Sequence, residues 1–185
     1  MIAGQEPQFR APASMTPEQL GDHLARLVWE SFSDFMTDPA MAALLTRLGL
    51  VDGDGSPAGR VDEEALIFLL WAHTRGVQQA YRHRGTADLA RRALDALHRA
   101  VFEDLVSNGM NRSELPLFEQ RVSARYARYG QASEVSDESV GSTVVAHMTG
   151  DRGAGTDGAL ELATWAISVT GPLSDFYTEV DLVEG

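Results

Sequence analysis

The sequence predicts an all-α fold: a single-domain bundle of seven or eight helices around one central hydrophobic helix at about residues 62–84. Three observations carry that prediction. Apolar residues recur at spacings of three and four through most of the chain. Helix-opening and helix-closing residues punctuate it at intervals of one helix length. No stretch alternates apolar and polar residues over a hairpin, the nearest to a strand being Ser142–Met148. At 185 residues, 44% of them hydrophobic, the chain has the size and composition of one domain with a full core.

Residues 1–15, which contain Pro7 and Pro12 and no periodicity, read as a disordered N-terminal arm, and residues 16–185 as the helical domain. Thr16-Pro17-Glu18-Gln19 supplies an N-cap, a proline at the first helical position and a capping-box Gln, so a helix begins there. Leu20, Leu24, Leu27, Val28 and Phe35 carry it to about Met36. Asp38-Pro39 starts a second helix with Met41, Leu44, Leu45 and Leu48 on one face, closed by Gly49. After a polar loop at Asp52–Arg60, Asp62 is expected to cap the third helix, apolar on nearly every side from Ala65 to Ala72 and therefore central. Gly85-Thr86 separates it from a fourth helix with Leu94, Leu97, Val101 and Leu105 in line, ending at Asn108-Gly109. A fifth starts near Ser113 and aligns Phe118, Val122, Tyr126 and Tyr129. Asp137–Thr149, Gly158–Thr170 and Pro172–Glu184 complete the bundle, with Gly150 and Gly171-Pro172 as the breaks.

Charge is segregated along the chain. Residues 1–70 hold 11 Asp/Glu and 4 Arg, residues 71–132 hold 6 and 10, and residues 133–185 hold 10 and a single Arg. Either the basic middle is a cationic surface or the acidic ends fold over it. The net charge of −12 disfavours nucleic acid and anionic membranes, because the summed field repels both. There is no Cys and no Lys. Disulfides, thiolate metal sites, thiol nucleophiles, Schiff-base chemistry and the phosphate-binding lysine of P-loop enzymes are therefore excluded. The opening Met1–Pro7 has neither a basic nor an apolar targeting pattern, so a soluble cytoplasmic protein is expected.

Two loops resemble known ligand motifs, each with a defect. Asp52-Gly53-Asp54-Gly55-Ser56 with Glu63 has the oxygen spacing of a calcium loop, but Pro57 stands where a left-handed Gly is needed. Gly153–Gly158 has the spacing of a dinucleotide fingerprint, yet too little chain follows it for the corresponding fold. Neither motif predicts a cofactor, and no metal is expected.

Candidate contact residues fall in three groups. Trp29, Phe32 and Met36 form a second apolar stripe on the first helix, which is either sandwiched in the core or covered by another chain. The helix after Gly158 is likewise apolar on two faces, with Leu162, Trp165 and Val169 lying away from Leu160 and Ile167. Arg121, Arg125 and Arg128 run beside Tyr126 and Tyr129, a composition suited to binding carboxylates and stacking on rings. These residues predict a protein–protein interaction or self-association module, a homodimer among the options, with no catalysis. The alternative rests on His73, His98 and His147, which lie on apolar faces of three helices and would bind a metal, haem or small apolar ligand. No serine sits in a nucleophile elbow and no acid–base pair is marked by spacing.

Overall fold

The computed structural model describes residues 14–150 and 158–185. Within them lie seven helices and two very short strands: β1 (Ser14–Met15), α1 (Pro17–Thr37), α2 (Pro39–Arg47), α3 (Val61–Tyr81), α4 (Ala87–Ser107), α5 (Leu115–Val135), α6 (Asp137–Thr149), α7 (Ala159–Thr178) and β2 (Asp181–Leu182). The fold is an all-α bundle.

Local chemistry sets most helix ends. Thr16 and Gln19 form the reciprocal capping box, with Gln19 N–H donating to Thr16 Oγ1 at 3.3 Å and Thr16 N–H to Gln19 Oε1 at 3.0 Å. Asp38 Oδ1 accepts from the N–H groups of Ala40 and Met41, so one carboxylate ends α1 and opens α2. Ser136 caps α6, and Gly150 closes it in the left-handed region at φ 63°. α3 departs from expectation: it starts at Val61 and its N-cap, Arg60, offers no side-chain hydrogen bond. Asp62 lies in the first turn instead, with Glu63 and Glu64, where three carboxylates complement the helix dipole.

α3 is the central element, buried along nearly its whole length, and packs against α1, α4, α5, α6 and α7. The most extensive helix pairs are α1 with α4, α3 with α7, and α6 with α7. Each has a glycine at its contact. A Cβ on Gly21 of α1 would lie 2.4 Å from Ala96 Cβ of α4, and one on Gly141 of α6 would lie 1.8 Å from the Ala159 carbonyl oxygen. Gly76 does the same for α3 against α7, where its Cβ would meet that of Leu173 at 3.0 Å. Backbones therefore approach closely at these crossings, repaying the helix propensity that glycine forfeits.

Two further expectations are corrected. Gly171-Pro172 does not divide the C-terminal helix; α7 runs through it to Thr178. Pro172 removes a single N–H from the ladder, while Thr170 Oγ1 donates to the Ala72 carbonyl at 3.2 Å and Leu173 seats on Gly76, so packing on α3 holds both sides of the proline in line. Ser142–Met148 is helical, within α6. The strands lie elsewhere: Ser14 and Met15 pair in parallel with Asp181 and Leu182. Tyr81 OH and Arg84 Nη1 reinforce that pairing by donating to the Val180 carbonyl at 3.0 and 2.8 Å. Of the expected arm, residues 1–13 lie outside the described residues.

The charge segregation resolves into pairs between the thirds of the chain. Arg121 pairs with Glu63 and Arg125 with Glu64 of the first third, while Arg75 meets Asp137 and Arg84 meets Asp181 of the last. Arg92 joins both ends, to Glu18 and Glu184. Most of these pairs are solvent-screened and worth little individually. Arg125–Glu64 is different: Glu64 is 3% exposed and receives Arg125 Nε at 2.8 Å and Nη2 at 2.6 Å in a two-pronged bond. No helix among the described residues is long and apolar enough to cross a membrane.

Candidate functional site

α1 and α7 both pack on α3 and meet at Phe35 and Trp165, whose ring centres lie 5.3 Å apart, and beside that contact a groove runs between them over α3. On α1, Leu27, Ser31 and Asp34 follow at helical spacing, with Glu30 beside them; on α7, Trp165, Val169, Pro172 and Phe176 do the same. The groove encloses about 530 Å³ and its lining is chiefly apolar, the size and character of a small-molecule site.

His73 of α3 lies at the floor, 1% exposed. Its Nδ1 is 2.8 Å from the Leu69 carbonyl, which can only accept, so in the neutral ring Nδ1 carries the proton. Nε2 then presents a lone pair to the Ser31 hydroxyl, 3.4 Å away. Burial is the dominant influence on this imidazole and pushes its pKa down to about 4, although the Leu69 and Leu27 carbonyls pull it upward. The ring is thus uncharged at neutral pH. A base this weak, at this distance, draws little on a serine hydroxyl, and the arrangement suits hydrogen bonding to a ligand better than proton abstraction.

Two further polar features mark the walls. The Trp165 indole N–H is buried and has no hydrogen-bond partner among the described residues. Pro172 has no N–H to offer the carbonyl of Ser168, one turn earlier in the same wall. At the rim, Glu30 and Asp34 are exposed, and no salt bridge among the described residues reaches either.

The structure separates the three predicted histidines. His98 Nδ1 donates to the Leu94 carbonyl at 2.6 Å, and its Nε2 accepts from Tyr126 OH at 2.8 Å; that phenol oxygen lies 3.2 Å from Thr74 Oγ1. Burial lowers the His98 pKa and raises that of Tyr126. His147 packs edge-on against Tyr129, their ring centres 5.8 Å apart. Each imidazole therefore serves a different helix pair, and the site expected from His73, His98 and His147 together is not assembled. Among the described residues no group of three His, Asp or Glu side chains could hold a metal ion. In the would-be calcium loop, Asp54 Oδ1 accepts from Ser56 N–H, and Glu63 turns away to Arg121. Residues 153–157 of the dinucleotide-like motif lie outside the described residues.

The predicted contact surface is largely occupied within the chain. Trp29, Phe32 and Met36 are half-buried against the core, and Trp29 Nε1 donates to Asp104 Oδ2 of α4 at 2.8 Å. Tyr129 is fully buried between Phe68 and Trp71, and Arg121 and Arg125 are paired as described. Arg128 is exposed beside a second, more polar cleft of about 730 Å³ that also contains Arg60, His147 and the Arg125–Glu64 pair. On α7, Leu160 and Ile167 are 66% and 51% exposed. Sequence reasoning missed Ser31, Glu30, Asp34 and Trp165 as companions of His73. The available signal was Glu30 and Asp34, two like charges one turn apart in the C-terminal half of a helix, an arrangement that costs stability. No known protein family matches the chain, and no curated protein or solved structure is significantly similar to it.

Proposed function

We propose that this protein is a helical ligand-binding module that takes a small, largely apolar molecule into the cavity between α1 and α7. The observation that carries the reading is His73, a neutral buried imidazole on the floor of an apolar cavity, with Ser31 beside it and Glu30 and Asp34 at the rim. A mostly apolar pocket with a few convergent polar groups is the general form of a small-molecule site. The test is ligand-observed NMR of small aromatic and aliphatic probes against the wild type and Val169→Trp, which fills the cavity from its wall. Binding that disappears in a folded V169W variant supports the reading. Absence of any probe binding, or binding unchanged by V169W, overturns it.

Leu160 and Ile167 favour a second reading, association of two copies of the chain through the outer flank of α7. Sedimentation equilibrium of the wild type and L160E/I167E tests it. A dimer that the double substitution dissociates supports this reading, and a monomer at all concentrations refutes it.

A further inference from the structure

The rim of the α1–α7 cavity carries charge that the chain itself leaves unanswered. Glu30 and Asp34 are one turn apart on α1, and no described salt bridge reaches them. Their positions are unfavourable on two counts. Like charges four residues apart repel, and Asp34 lies in the last helical turns of α1, where the dipole disfavours an anion and no basic residue compensates.

The rest of the lining has matching chemistry. Trp165 and Phe176 bring ring surface, which attracts cations. His73 at the floor is neutral, with no positive charge to repel a cation. No Arg lines the cavity, and the chain's net charge of −12 draws cations toward it.

We propose that the ligand is an organic cation, a protonated amine on an apolar body, with the Glu30 and Asp34 carboxylates as its counter-charges and Trp165 and Phe176 as its aromatic walls. This rests on the cavity being the binding site and specifies what it binds. Carboxylates at the rim and rings within read the two ends of such a molecule separately: charge at the mouth, apolar bulk inside.

Calorimetric titration with three probes of one shape separates the two claims: 2-phenylethylammonium, 2-phenylethanol and phenylacetate. The ammonium is expected to bind about tenfold tighter than the alcohol, with phenylacetate weakest. Both substitutions of E30Q/D34N fall on exposed residues and relieve repulsion, so this variant folds; it should bring the ammonium down to the alcohol's affinity and leave the alcohol unchanged. If the alcohol binds, is lost in V169W, and the ammonium binds no better, the cation inference fails while the cavity reading stands. Tightest binding of phenylacetate has the same meaning. If none of the three binds the wild type, both fail.

Discussion

Protonating His73 in the folded state places a charge in a site only 1% exposed, and this makes the floor of the cavity a sensor of acid stability. Burial takes the imidazole from 6.5 to about 4. At 1.36 kcal/mol per unit, that difference corresponds to about 3 kcal/mol of stability. Because the folded value is the lower one, the contribution is fully present above about pH 6.5 and declines as protons bind the unfolded chain first. It is exhausted near pH 4. Urea unfolding of the wild type and His73→Gln, from about pH 7.5 to about pH 4 at constant ionic strength, isolates the effect. His23 and His98, whose values burial also lowers, are present in both proteins and cancel in the comparison. Wild type should lose about 3 kcal/mol more than H73Q over that range. Parallel pH profiles would refute the description of His73 as a desolvated, neutral ring.

Other perturbations address the frame around the site. Arg125→Met strands the buried Glu64 carboxylate and should cost about 3–5 kcal/mol in urea unfolding; E64M/R125M should recover most of it, whereas equal losses would mean that packing dominates. Gly141→Ala drives a methyl into the Ala159 carbonyl and should cost about 3 kcal/mol or more, lowering the thermal midpoint by 10 °C or so; a neutral result would mean that α6 and α7 slide apart freely. Tyr126→Phe removes the donor to His98 Nε2 and the partner of Thr74, with an expected loss of about 1–3 kcal/mol. In that variant the His98 ring should broaden by NMR, and an unchanged ring environment would count against the bond.

Helix ends were the most legible part of the fold, because caps act within a few residues. Thr16 with Gln19, Asp38 and Gly150 act as expected, and α6 occupies the expected span Asp137–Thr149. Pro172 is the counter-example: its local preference to end a helix yields to contacts with Ala72 and Gly76, about a hundred residues away in sequence. Gly21, Gly76 and Gly141 carry the same lesson, since a glycine at a helix crossing is indistinguishable in sequence from a weak helix position until its neighbour is known. The apolar face that holds His73 was visible from periodicity, but Ser31 comes from 42 residues earlier and Trp165 from a different helix again. Even where the charge pattern was plain, only the fold shows that the arginines of the middle third are answered by carboxylates of both ends.

The claim that the α1–α7 cavity is the binding site is tested most directly by the tryptophan indole signals in a proton–nitrogen correlation spectrum during titration with 2-phenylethylammonium. The chain has three tryptophans. Trp165 lines the cavity, Trp29 is bonded to Asp104 away from it, and Trp71 lies against Tyr129 in the core. A saturable shift of the Trp165 indole, with Trp29 and Trp71 unmoved, is the predicted result. Movement of Trp29 or Trp71 instead, or no shift at any of the three, would contradict it.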